Sequence, residues 1–306
     1  MSESNAATVS KQNSYTILFM VILSLICAVI LSTLASALRE PQEMAKELDR
    51  SKQMLIASRI LSPYGYFQVQ NEKGEYVPAI AKGGILAPAE KKIFPSKEQI
   101  LEVYRTRIQG FLVDAKGVAT SFQKADIDEQ KYVQDFRKTG YYQEPLKLIY
   151  RISANPKSQK DLQDRPIVGY VIPINGMGLW DAIYGYLAIE PNGDTVIGIS
   201  WYDQKETPGL GANIAEPEWQ SQFPGKRIFQ ESPDGKTNFS TAPLGITVVK
   251  GKVGEVLGNS PKALSAVDGM AGATLTGNGV TDAYRMVLAA YRPFLINLHA
   301  KNQASG

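Results

Sequence analysis

Residues Thr16 to Leu38, TILFMVILSLICAVILSTLASAL, run for 23 positions without one charged side chain. At about 1.5 Å of rise per helical residue, this stretch can cross a hydrocarbon layer of about 30 Å. Backbone polar groups in hydrocarbon must pair within their own segment, so the run commits the chain to a helix there. The rest of the length then has to fold outside the membrane. The competing reading is a cleaved leader, because Lys11 precedes the run and Ala35-Ser36-Ala37 has the small-x-small form of a cleavage site. The apolar core is longer than leaders usually carry, which favours a retained span. Cys27, in mid-span, reads as a small apolar filler. Charge does not fix the orientation: Arg39, Lys46, Arg50 and Lys52 follow the run, but Glu40, Glu43, Glu47 and Asp49 are interspersed with them. Long domains also translocate regardless of charge.

The side-chain inventory excludes more chemistry than it suggests. The chain has one His (His299) and one Cys (Cys27) in 306 residues. Zinc sites of the His/Cys type, CxxC redox pairs, iron–sulfur clusters, disulfide frameworks and most Ser-His-Asp or Cys-His triads cannot be assembled from it. No catalytic side chain and no metal ligand set is expected, and redox chemistry would require a borrowed cofactor. Lys plus Arg number 33 against 30 Asp plus Glu. Without a basic run or an interleaved aromatic stripe, that small excess makes no case for nucleic acid.

Four parts follow from this reading: a tail over 1–15, a transmembrane helix over 16–38, a membrane-proximal helix over 39–63, and an extramembrane α+β domain over 64–306. The membrane-proximal helix rests on Met44, Leu48, Leu55, Ile56 and Ile60 at near-helical spacing from Pro41, with Ser62-Pro63 as its stop. Between 64 and 165 the pattern is mixed, with a helical piece near Ser96–Gly110 and a polar, solvated face over Lys124–Lys138. Strands become clear at PIVGYVIPI, IYGYLAIE and DTVIGISWY, each rich in Ile, Val, Tyr or Trp. Asn192-Gly193 supplies the positive-φ residues of a hairpin turn between the last two. A short strand over Ile246–Lys250 and an amphipathic helix over Val280–Ala300, kinked or split at Pro293, complete the pattern. The expected fold is α+β: an antiparallel sheet with flanking helices on a single N-terminal transmembrane helix.

Three glycine-rich segments could carry a ligand. Glu206-Thr207-Pro208-Gly209-Leu210-Gly211 has a G-x-G but no third glycine and no acidic residue ending a following strand, so it is not a dinucleotide fingerprint. It is either a rigid Pro-Gly turn or a place where a flat ligand approaches the main chain. Asp268 to Gly279, DGMAGATLTGNG, runs directly into the final helix. There Gly272, Ala273, Thr274, Leu275 and Thr276 offer small residues and hydroxyls at a helix start, where an anion meets unpaired N–H groups. The alternative is that Thr274 or Thr276 simply caps the helix. In the third segment, Asn175 to Trp180 with its glycines Gly176 and Gly178, Leu179 and Trp180 either wall a flat ring or belong to the core.

One span followed by GMGLWD (Gly176–Asp181), ETPGLGA (Glu206–Ala212) with Trp219 downstream, and DGxxGAT (Asp268–Thr274) before a terminal helix resembles the family of the C subunit of the sodium-translocating NADH:quinone oxidoreductase. The resemblance covers essentially the whole chain in order, most weakly over 64–165. It implies FMN esterified through its phosphate to Thr274 by a dedicated flavin transferase, with Asp268 in the sequence that the transferase reads. Leu179, Trp180, Thr207 and Leu210 would surround the ring, with Glu206, Gly209, Gly211 and Gly176 in the same segments. The resemblance further implies an electron-transfer protein without an NADH site in a bacterial inner membrane, its soluble domain periplasmic. Its partners would be the A, B, D, E and F subunits of the same complex and membrane lipid. Two departures stand out: Ala271 replaces the family's usual Ser or Thr, and Gln204 lies near a frequent His. The G subunit of the related ion-pumping ferredoxin:NAD reductase complex is the neighbouring alternative, and a cofactor-free membrane-anchored binding or assembly module is the alternative from another class.

Overall fold

The computed structural model describes residues 2–158, 165–232 and 234–305, without the side chains of 2–14 and 305. The Lys11 side chain and residues 159–164 of the mixed segment therefore lie outside what is described. The chain divides into two units, Met1–Asp49 and Arg50–Gly306.

The first unit belongs to α1 (Ser2–Ala57), one unbroken helix with Pro41 inside it rather than two helices meeting there. Side chains from Tyr15 to Leu38 are exposed, as a lipid-facing surface requires, and the Thr33 hydroxyl returns its hydrogen bond to the carbonyls of Val29 and Ile30. Among the described residues this is the one helix long and apolar enough to cross a membrane. In the second unit α1 stops four residues before the expected Ser62. Ile60 N–H bonds to Leu55 O, Arg59 N–H bonds to Ile56 O, and Arg59 takes φ 55°, the crossed pattern of a left-handed helix cap.

The mixed segment is part of the same folded unit. It opens with a three-stranded antiparallel sheet, β1 (Phe67–Gln70), β2 (Tyr76–Lys82) and β3 (Ile85–Pro88). Helix α2 (Lys97–Arg107) follows, started by a reciprocal capping pair between Ser96 and Gln99. It passes directly into β4 (Ile108–Val113), so the expected helical piece loses its last turn to a strand. Then come β5 (Ala119–Thr120), α3 (Phe122–Ala125), α4 (Glu129–Phe136) and β6 (Lys147–Ser153). The Lys124–Lys138 face is not wholly solvated, because α4 buries Tyr132 and Val133.

Strands β7 (Ile167–Met177), β8 (Ala182–Ile189) and β9 (Val196–Asp203) complete a six-stranded antiparallel sheet in the order β5-β4-β6-β7-β8-β9. Alternation decides its two faces. Ile199 and Trp201 of β9 point into the main core with Val280, Ala283, Tyr284, Val287, Leu288, Tyr291 and Leu295. Those residues form the apolar stripe of α7 (Thr274–Ser305). Ser200, on the other face, donates to Gln53 Oε1 of α1 at 2.5 Å. Pro293 does not split α7. Tyr291, Phe294, Leu295 and Leu298 around it are all buried, so packing on both sides outweighs the one lost N–H bond. The expected strand near Ile246 shrinks to β10 (Thr247–Val248), parallel to β11 (Ala266–Val267); between β9 and β10 lies α5 (Pro217–Gln220), and between β10 and β11 lies α6 (Val253–Val256).

In the β8–β9 hairpin only Gly193 has positive φ (72°). Asn192 acts instead through its side chain, whose Oδ1 accepts from the N–H groups of Asp194 and Thr195, both at 2.9 Å. A Cβ on Gly193 would stand 2.7 Å from the Leu295 carbonyl oxygen of α7. Gly193→Ala therefore combines left-handed strain with a clash, and should cost about 1–3 kcal/mol or more in urea unfolding of the full chain. A loss within about 0.5 kcal/mol would mean that the turn and α7 relax freely.

Candidate functional site

The three glycine-rich segments meet at one end of the sheet. Gly178–Asp181 is the four-residue loop joining β7 to β8, closed by Gly178 N–H to Asp181 O at 2.9 Å. Residues 204–211 leave the end of β9, and Thr274 opens α7. Their junction is the Glu206 carboxylate, which is 5% exposed. Oε1 accepts from Trp180 N–H at 3.0 Å, and Oε2 accepts from the Thr276 hydroxyl. Gly178 and Gly211 leave room for it: a Cβ on the first would lie 2.4 Å from Oε1, and on the second 2.8 Å from Oε2. Burial pushes the Glu206 pKa up, but the Thr276 hydroxyl and the N–H groups of Trp180, Leu179 and Asp181 outweigh it and hold the carboxyl below the usual glutamate range.

Above this buried junction the surface is apolar. Leu179, Trp180 (67% exposed), Leu210 and Leu275 present large side chains to solvent, as does Met177 at the end of β7, which sequence reasoning did not single out. The Trp180 indole is held by Nε1–H donating to Thr207 Oγ1 at 3.1 Å, so two of the residues expected around a ring touch each other. Leu210 lies against the Asp268–Gly279 segment, since a Cβ on Gly272 would meet its Cδ2 at 2.9 Å. Lys205 and Asp181 form an exposed ion pair at 2.5 Å beside the loop.

The two threonines separate cleanly. Thr276 is 1% exposed, and its hydroxyl is committed to Glu206. Thr274 is exposed on the first turn of α7, and its hydroxyl has no hydrogen bond to the described residues. Neither side chain caps the helix in the way expected of a simple N-cap. The first N–H groups of a helix have no intrahelical acceptor, so the Thr274 hydroxyl lies where a phosphate charge is favoured. An exposed hydroxyl at a helix start beside an exposed apolar and aromatic surface fits a flat ring carried on a phosphate.

Other expected residues serve the fold. Gly176 packs against Ala283 of α7, and Gly209 has φ 75° at an open turn. Ala273 is buried, its N–H bonding to Met270 O. Asp268 is fully engaged: Oδ1 accepts from Val253 N–H at 2.7 Å, its own N–H donates to Gln222 Oε1, and its carbonyl accepts from Trp219 Nε1–H. Gln222 and Gly279 were not anticipated. A Cβ on Gly279 would stand 2.1 Å from the Met177 carbonyl oxygen, so this glycine sets how closely α7 approaches the loop; its only sequence signal was the G-x-G preceding Val280.

Comparison with known proteins agrees with this geometry. The family model for the FMN-binding domain matches residues 178–289, an interval that contains all three junction segments apart from Gly176 and Met177. The chain is 45% identical over 302 residues to the C subunit of the Na(+)-translocating NADH-quinone reductase of Chlamydia caviae, covering 94% of this chain and 93% of that one. It is 32% identical to the C subunit of the same reductase from Vibrio anguillarum, covering 91% and 92%. The chain belongs to this C-subunit family. The fold agrees: the crystal structure of the C subunit from Parabacteroides distasonis superposes with a TM-score of 0.52 at 24% identity, covering 84% of this chain and 96% of that one. These relatives are named as parts of an oxidoreductase, and the G-subunit alternative is set aside.

Ionised Glu206, with its lowered folded pKa, contributes stability that is complete above the ordinary glutamate pKa and disappears as pH falls through the folded value. The difference in unfolding free energy between the natural chain and Glu206→Gln should therefore be full at neutral pH and narrow below about pH 4. A gap that stays constant down to about pH 3 would assign the effect to shape rather than charge.

Proposed function

We propose that this chain is the electron-carrying C subunit of a sodium-translocating NADH:quinone reductase, and that it holds one FMN through a phosphoester on Thr274. The observation that carries the covalent part is the Thr274 hydroxyl, exposed and without a protein partner among the described residues on the first turn of α7, inside the interval matched by the FMN-binding domain. FMN supplies one-electron chemistry that a chain with one His and one Cys cannot. The protein's own residues would hold it. The N–H groups at the start of α7 favour the phosphate charge, while Leu179, Trp180 and Leu210 offer the ring an apolar bed. Attachment through phosphate leaves the ring's electronic structure alone, so stacking, hydrogen bonds and solvent access set its potential.

The chain has no dinucleotide fingerprint, consistent with NADH oxidation elsewhere in the complex. The span carries no ionisable side chain apart from Cys27, so the sodium path belongs to other chains. In this reading the span meets lipid and neighbours among the A, B, D, E and F subunits. The folded unit lies on the periplasmic side of a bacterial inner membrane, and a flavin transferase completes maturation.

Intact mass and in-gel flavin fluorescence, measured after coexpression with a flavin transferase, test this directly. The natural chain should gain about 438 Da, one FMN less water. Thr274→Ala should gain nothing, and Thr276→Val should keep the increment. A natural chain that never acquires flavin would remove the redox function and leave a membrane-anchored binding module.

A further inference from the structure

The loop that carries Trp180 has no core of its own. Leu179 and Trp180 are both exposed, so apolar burial does not hold Gly178–Asp181 in place. Beyond the β7–β8 pairing at its base and the close approach of Gly279, its side-chain ties to the rest of the unit come from residues 205–207: Lys205 to the Asp181 carboxylate, Glu206 to Trp180 N–H, and Thr207 to the Trp180 indole. The Lys205 pair is exposed on both sides and contributes little. The Glu206 bond to Trp180 N–H is part-buried and charge-assisted, and a donor left unmatched there is costly. The other oxygen of the same carboxylate holds Thr276, two residues along α7 from Thr274.

We propose that Glu206 is the positioning residue of the flavin site, a single carboxylate that locks the Trp180 loop to the first turn of α7 and so fixes the ring's bed relative to its anchor. The flavin part rests on the function proposed above, whereas the lock itself is a property of the protein alone. Glutamine replaces the carboxylate only in part. It loses the charge, and with its one carbonyl oxygen toward Trp180 N–H its amide N–H₂ reaches Thr276 only if that hydroxyl turns round to accept. Gly178 and Gly211, both within contact of the carboxylate, belong to the same device.

Hydrogen exchange read by mass spectrometry on the full-length chain in detergent, prepared without flavin, tests the lock. In Glu206→Gln, peptides spanning the 178–181 loop and the first turn of α7 should exchange at least about tenfold faster, with the interiors of β8 and β9 unchanged. Thr276→Val keeps the carboxylate and its loop bonds while cutting the tie to α7, so only the α7 peptide should quicken. Rates within about twofold of the natural chain in Glu206→Gln, or a uniform rise across the sheet, would overturn the proposal. Should Glu206→Gln fail to fold, Thr276→Val decides, and unchanged exchange at the start of α7 would count against it. A second arm uses chain coexpressed with a flavin transferase. Glu206→Gln should retain the mass increment on Thr274 but shift the visible spectrum and reduction potential of the bound flavin. A loaded variant with an unshifted spectrum and potential would refute positioning, whereas a natural chain without the increment would refute the flavin reading and leave the exchange result standing.

Discussion

The packing of α7 across the six-stranded sheet is the constraint on which the rest depends. Val280, Ala283, Tyr284, Val287, Leu288, Tyr291 and Leu295 are all at or near zero exposure. Each large apolar side chain removed from water in this way contributes about 1.5–3 kcal/mol. That stripe fixes the helix in rotation and along its axis, and Gly279 lets its first turns come up against the β7–β8 loop. The line along which α7 approaches the site is therefore set by core packing well beyond Thr274, while the first turn that contains Thr274 remains at the surface.

Much of this was legible in the sequence because it is written in periodicity. The β7, β8 and β9 strands are dense in Ile, Val and Tyr, and the α7 stripe repeats at helical spacing, so their existence and the α+β class followed. The span was plainer still. The β4 and β6 strands were harder, since they lie within a mixed polar segment and are recognised as strands mainly by their partners in the sheet. Pro293 misled because local rules penalise proline in a helix, whereas tertiary burial decides around it. Asn192 misled in a different way: its side chain, not its backbone, shapes the turn.

At the site the motifs located the right segments but not the division of labour within them. Spacing cannot say that Glu206 is buried beneath the loop or that Thr276 faces it while Thr274 faces solvent, because those are facts about which side of a first helical turn meets the core. The glycines illustrate the point. They looked like openings for a ligand, yet Gly178 and Gly211 make room for a carboxylate of the protein itself, and Gly176 makes room for a helix. A buried acidic group that accepts from several N–H donors is a structural anion, and those donors with the Thr276 hydroxyl hold its pKa down against the effect of burial.

The exposed character of the ring's proposed bed bears on why a covalent anchor would be useful. Trp180 is 67% exposed and Leu275 60% exposed, so this surface offers a flat ligand one face of contact and little enclosure. Ligand sites that retain cofactors without a bond usually bury most of the ligand surface. A shallow bed would hold FMN weakly on its own, and a phosphoester at Thr274 makes retention independent of that weakness. On the function proposed above, the bed would then be free to stay open, leaving the ring's outer face accessible to an electron partner, and the proposed Glu206 lock would supply the orientation that a deep pocket otherwise imposes.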